Sequence, residues 1–202
     1  DTVIIPLLNG VDNTERLRAV LPGENILSGC VYISSHIEKP GVVYQTGGSC
    51  KLFFGSEINN PNMEIYKEIE KIFQDAGIDA VLSDNIATDV WSKFIFVSPF
   101  AGLTTMLQQP FGAILENADS RKMLEDMMHE LISIAQALHI FLPDNLLATA
   151  LHTAALFPYD TKSSMQLDFE NKKHTELKTL IGYPVTCGKQ IGIHTPLYES
   201  VY

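Results

Sequence analysis

The sequence predicts an α/β segment followed by an all-α segment, and three observations carry that prediction. Short apolar runs bounded by turn signals alternate with amphipathic stretches up to about residue 84. Beyond Asp84 the strand signals stop, and apolar residues recur at helical spacing to the end of the chain. A hydrophobic content of 46% with 19% charged residues, over 202 residues, suits a globular protein with a sizeable core.

TVIIPLL, residues 2–8, is a nearly continuous apolar run and reads as a strand buried on both faces. Asn9-Gly10 follows. Asp12, with Glu15 three residues later, then makes a capping-box-like start to a short helix closed by Pro22-Gly23. NILSGCVYIS, GVVYQTG and CKLFFGS read as three more strands, separated by turns at Pro40-Gly41 and Gly47-Gly48. Met63, Ile65, Ile69, Ile72 and Phe73 stand at helical spacing, with Gly77 as a stop, and IDAVLS is a final short strand. The junction falls near Ser83 to Asn85, giving segments 1–84 and 85–202.

DNIATDVWSKFIFVSPFAGLTTML is a long helical pattern with a kink expected at Pro99. A second helix is expected to open at Asp119 or Ser120, with Met123, Met127, Leu131, Ile134 and Leu138 along one face. DNLLATALHTAALF is a third, and the tail from Ser163 supplies three or four shorter ones. Nothing repeats internally.

Charge and composition exclude several functions. With 24 acidic against 14 basic residues the formal charge is −10, which repels nucleic acid and anionic membranes, so neither is expected as a partner. No run reaches the roughly 18 consecutive apolar residues of a membrane helix. Cys30, Cys50 and Cys187 have no CxxC spacing and leave one over, which argues against a disulfide framework or zinc site. A cytoplasmic location is expected. HELIS at 129–133 has Ser133 where a second zinc ligand would stand, so no metal is expected, and no GxGxxG or Walker loop occurs.

Three features remain. Asn9, between a buried strand and a helix, lies where open α/β sheets bind ligands, although Asn-Gly is also an ordinary turn. Lys93 is a charged amine in an apolar run. It either pairs with Asp89 four residues earlier or points into a partly apolar cleft, where it would donate a proton to a developing alkoxide. In KSSMQLDFENKKHTELKTLIG, Ser163 and Gln166 resemble a capping box, and Glu176 stands at a helix start, where the dipole favours a carboxylate.

A strand ending in LLNG, a helix starting DVWSKF, and SSMQLDFENKKHTELKTLIG, in that order, resemble the ketopantoate reductase (2-dehydropantoate 2-reductase) family along essentially the whole chain. The resemblance implies the second half of a Rossmann-like NADP-binding domain over 1–84, without its glycine-rich opening. Over 85–202 it implies an all-helical substrate and catalytic domain of the 6-phosphogluconate dehydrogenase C-terminal type. It implies NADPH as cofactor and reduction of 2-dehydropantoate to pantoate, a step towards pantothenate and coenzyme A. By the same resemblance Lys93 is the general acid, Asn9 contacts cofactor and substrate, Ser164 binds substrate, and Ser35 and Glu176 contact the cofactor.

The family's substrate asparagines correspond to Val97, Ala101 and Phe111, all apolar, which suits a different 2-oxo acid or ketone on the same fold. Without the glycine loop, this stretch alone is not expected to hold NADPH well. A homodimer is the expectation by analogy. An alternative of another class is a non-catalytic association module pairing through the Met- and Leu-rich helix 119–139.

Overall fold

The computed structural model describes residues 2–22, 25–57 and 63–202, with the backbone alone at 46–49. The chain divides into two compact units, Asp1–Val90 and Trp91–Tyr202.

In the first unit β1 (Val3–Ile4) pairs in parallel with β2 (Asn25–Ile26), and α1 (Asn13–Val20) crosses between them. The strand expected over 2–8 is cut to two residues. Pro6 has no N–H to give a ladder, which accounts for the early end. Asp12 precedes α1 but makes no side-chain cap, since its backbone (φ −100°, ψ 1°) is not the extended form a capping side chain needs. Its carboxylate instead lies 4.0 Å from Arg16. Gly23, expected to close this helix, lies outside the described residues.

β3 (Ser28–Lys39) and β4 (Val42–Gly55) form a long antiparallel hairpin that turns at Pro40-Gly41. The turn expected at Gly47-Gly48 is absent: Gly47 pairs with Ser34 inside one 14-residue strand. Register shifts on either side of Ser34 take up the irregularity, as bulges do. β5 (Asp79–Leu82) runs parallel to β4, with α2 (Met63–Asp75) as the crossover, and Gly77 (φ +80°) follows the helix. Pro61 and Asn62, expected at its start, lie outside the described residues.

The buried face of α2 differs from the expected one. Met63, Ile65 and Ile72 are exposed, whereas Tyr66, Ile69 and Phe73 pack on the sheet. The i, i+3, i+7 set that includes Tyr66 wins because its hydroxyl is satisfied, donating to Asn25 Oδ1 at 2.9 Å. Leu27, Leu52, Phe54, Tyr66 and Ala80 are the centre of this core. A polar chain fastens α1 to it: Thr14 donates to Ser28 (2.6 Å), Ser28 to Glu57 (2.6 Å), and Arg18 to Glu57 (3.0 Å) and to the Ile26 carbonyl (3.2 Å).

α3 (Ile86–Leu107) continues through Pro99. By length and composition it is apolar enough to cross a membrane, but 56% of its most apolar window is buried within the protein, as in a core helix. Then come α4 (Phe111–Glu116), which the sequence reading lacks, α5 (Ala118–Ala137) and α6 (Leu146–Ala155). α7 (Ser164–Glu170) precedes a π-helical turn (Lys178–Gly182) that runs into α8 (Tyr183–Ile191), and α9 (Pro196–Val201) ends the chain. The cap of α5 is neither Asp119 nor Ser120. Asn117, with extended backbone, accepts from both of their amides at 3.0 Å. Met127, Met128, Leu131 and Ile134 are fully buried inside the unit, so the Met- and Leu-rich face is core and not the subunit surface an association module would need.

The π-helical turn has a physical cause. An α-helical ladder would have the Leu180 carbonyl accept from residue 184, but Pro184 has no N–H. Ser98 Oγ of α3 donates to that carbonyl instead, at 2.6 Å. The Ser98 proton being committed, Tyr198 OH donates to Ser98 Oγ at 2.7 Å. Glu130 of α5 completes the cluster by accepting from the Leu197 and Tyr198 amides at 2.9 and 3.2 Å. Burial raises the Glu130 pKa above the usual carboxylate range, and the two backbone bonds pull it partly back.

Ser98→Ala leaves a buried carbonyl and hydroxyl short of partners, and we expect it to cost about 1–3 kcal/mol in urea denaturation. An unchanged unfolding free energy would contradict the network. Because folding raises the Glu130 pKa, its contribution is full below the unfolded carboxylate value and is lost as pH rises through the folded one. The stability margin of the wild type over Glu130→Gln should therefore narrow as pH rises above the unfolded carboxylate value of about 4.3. Thermal melts from below that value to above it check this, and a widening margin would refute it.

Candidate functional site

In the first unit, the loop after β1 is built around Gly10, whose φ of +106° only glycine adopts readily. Asn13, in the first turn of α1, donates its side-chain amide to the carbonyls of Asn9 (3.0 Å), Leu8 (3.3 Å) and Gly10 (3.4 Å). Half-buried Asn9 is thereby fixed beyond the carboxyl end of β1 and before α1, the ligand-binding position of an open α/β sheet. The sequence reading did not single out Asn13; its place four residues after Asn9 was the available signal. Ser35 stands opposite Gln45 on β3, which is exposed from Tyr32 onward, away from the buried core of this unit.

Lys93, Ser164 and Glu176 all belong to the second unit. Lys93 is half-buried on α3. Phe96, Val97, Phe100, Ala101 and Thr104 follow it at i+3, i+4, i+7, i+8 and i+11, so they share its side of the helix. Ser164 is exposed at the start of α7, and that start is tied to α3. Ser163 Oγ donates to Thr104 Oγ1 at 2.7 Å, while Thr104 Oγ1 donates to the Phe100 carbonyl at 2.7 Å. Ser163 also accepts from Gln166 N at 3.1 Å, the expected cap; the Gln166 amide nitrogen turns instead to Glu170, at 3.0 Å. The tie at Thr104 lies about 16 Å along α3 from Lys93, at 1.5 Å per residue. Half-buried Glu176 directly precedes the helix that carries the π-helical turn, and its carbonyl accepts from Leu180 N at 2.8 Å.

Four phenylalanines occupy the α3 surface between these points, a cluster the sequence reading missed. Phe100 stacks on Phe111 at 4.3 Å between ring centroids. Phe96 meets Phe100 at 5.3 Å and stacks with Phe157 at 6.3 Å. The segment bearing Phe157 is pinned: Phe111 N donates to the Thr161 carbonyl (2.8 Å) and Gly112 N to that of Tyr159 (3.0 Å). A Cβ at Gly112 would stand 2.1 Å from the Tyr159 ring, so any larger residue there has to displace that ring. Phe100, Ala101 and Phe111 are buried, whereas Phe96 and Val97 are half-buried and Phe157 is 42% exposed.

The described residues thus form an α/β unit with an asparagine beyond its first strand and a helical unit with a half-buried lysine on its longest helix. The chain belongs to the ketopantoate reductase PanE/ApbA family: the family's C-terminal model matches residues 85–202 and its other model residues 1–57. The "Uncharacterized oxidoreductase YkpB" of Bacillus subtilis is 30% identical over 202 residues, all of this chain and 66% of that protein. A 2-dehydropantoate 2-reductase of Nostoc sp. is 24% identical, with 100% of this chain and 64% of that one covered. The chain therefore spans slightly under two thirds of the length of these curated relatives.

The crystal structure of 2-dehydropantoate 2-reductase from Geobacter metallireducens superposes with a TM-score of 0.88 at 30% identity, covering 99% of this chain and 66% of that one. D-mandelate dehydrogenase, solved with NADH and anilino(oxo)acetate, shares the fold with a TM-score of 0.88 at 23% identity, covering 100% and 65%. The fold is thus a partial Rossmann domain followed by a helical domain.

Asn13→Ala releases the three carbonyls that hold the Asn9 loop. We expect a loss of about 1 kcal/mol in unfolding free energy, with faster hydrogen exchange at residues 9–13. Unchanged exchange there would show that the loop is held otherwise.

Proposed function

We propose that this protein reduces the 2-oxo group of a 2-oxo acid to a hydroxyl with NADPH. Residues 1–84 would serve as the C-terminal part of the nucleotide-binding domain, and 85–202 as the substrate and catalytic domain. The observation that carries the reading is Lys93, a half-buried amine followed on its side of α3 by Phe96, Val97, Phe100 and Ala101, in a chain of a reductase family. NADPH, when bound, would supply the hydride for the substrate's C2. As that bond forms, the carbonyl electron pair collects on oxygen, and the Lys93 ammonium donates the proton that makes the hydroxyl. The amine then takes a proton back from solvent, so atoms and charge balance.

Asn9 suits the nicotinamide side of this reaction. Its amide can donate and accept, and Gly10 beside it has no side chain to obstruct a ring at the strand's end. Ser164 has a hydroxyl for the substrate carboxylate, and Glu176 and Ser35 are the proposed ribose and backbone contacts of the cofactor. Three cysteines without CxxC spacing, an odd number, support a cytoplasmic setting. Homodimerisation is proposed with the rest; a Staphylococcus aureus relative of the same fold is described as dimeric.

Reduction of 2-dehydropantoate to pantoate, towards pantothenate and coenzyme A, is the reaction that the relatives' names suggest. A different 2-oxo acid is the second reading, favoured by the apolar side chains around Lys93. In either case Lys93→Ala in the full-length gene product should lower kcat by about 10² to 10⁴, followed as NADPH oxidation at 340 nm. Turnover equal to wild type would remove Lys93 from the chemistry.

A further inference from the structure

Resting on the reductase reading, we propose that the 2-oxo acid taken by this protein carries an aryl substituent, seated against Phe96, Val97 and Phe157. Between Lys93 and Thr104 the helix presents ten residues, 94 to 103, of which Ser98 alone has a polar side chain. That hydroxyl is fully buried and committed to the Leu180 carbonyl and Tyr198. No side-chain donor or acceptor is therefore left on this stretch to receive a hydroxyl on the substrate.

A substituent such as the hydroxylated chain of 2-dehydropantoate would leave water there without a partner on the helix. Sites lacking a partner for a substrate's polar group disfavour it, whereas an apolar group gains from the same burial. The stretch also offers more than generic apolarity. Phe96 and Phe157 lie within 24° of parallel, and both keep part of their surface in solvent beside the helix turn that bears Lys93. The Phe100–Phe111 stack and the Gly112–Tyr159 hydrogen bond hold them from behind. A fixed pair of half-open rings suits a flat aromatic guest.

The test compares kcat/KM of the full-length gene product for phenylglyoxylate, pyruvate and 2-dehydropantoate, with NADPH and with NADH, alongside the Phe157→Ser variant. The expected result is a preference of about tenfold or more for phenylglyoxylate over 2-dehydropantoate. The variant should shrink the phenylglyoxylate-to-pyruvate ratio about tenfold, with its melting curve confirming the fold. Equal or better use of 2-dehydropantoate overturns the proposal and leaves the reductase reading standing. So does a variant that slows both acids alike. Cofactor binding without reduction of any 2-oxo acid overturns the reductase reading itself, and the aryl proposal with it.

Discussion

The second unit is organised around one carbonyl that lacks its α-helical donor. Pro184 deprives Leu180 of its α-helical donor, and Ser98 supplies the replacement from α3. Tyr198 and Glu130 extend this into a buried network, so α3, α5, α9 and the π-helical turn are fixed by a single polar cluster. Buried polar groups are costly unless all their partners are present, so such a cluster specifies one arrangement and penalises its neighbours. Ser98 is five residues from Lys93, on a different side of the helix. The side through which Ser98 orients α3 is thus separate from the side that carries Lys93.

The same division recurs at smaller scale. Phe100 and Phe111 are buried and stack tightly, while Phe96 and Phe157 rest on them with surface to spare. Thr104 faces inward to bind Ser163, and Ser164 beside it stays exposed. In the first unit, Asn13 spends its amide on three carbonyls, and so positions Asn9. In each case one residue's contacts hold a neighbour in place, and the neighbour is the one the proposed reaction would use. Such preorganisation lets a site act without ordering itself at each turnover.

Much of this was legible in the sequence, and the exceptions have physical reasons. The switch from strand to helix near residue 84, the hairpin turn at Pro40-Gly41 and the Ser163 cap all follow from local signals. Gly47-Gly48 misleads because a glycine pair signals a turn only when no partner strand is present, and β3 is long enough to pair through it. The face of α2 turned on Tyr66, whose burial depended on a partner, Asn25, 41 residues away. Asn117 was overlooked as a cap because the backbone ahead of a helix decides which residue reaches its amides. The long helix that carries Lys93 is readable from the apolar run that follows DVWSKF. The aromatic wall beside it joins residues from three separate segments, which no local pattern links.

The most direct test of the central claim is the fate of the hydride. Full-length protein is incubated with phenylglyoxylate and NADPH dideuterated at C4 of the nicotinamide, and the product is examined by mass spectrometry and proton NMR. Mandelate with one deuterium at C2 is the predicted result, since the hydride goes to carbon and the Lys93 proton to oxygen. Mandelate lacking that deuterium, or no mandelate while the cofactor is bound, would contradict the account.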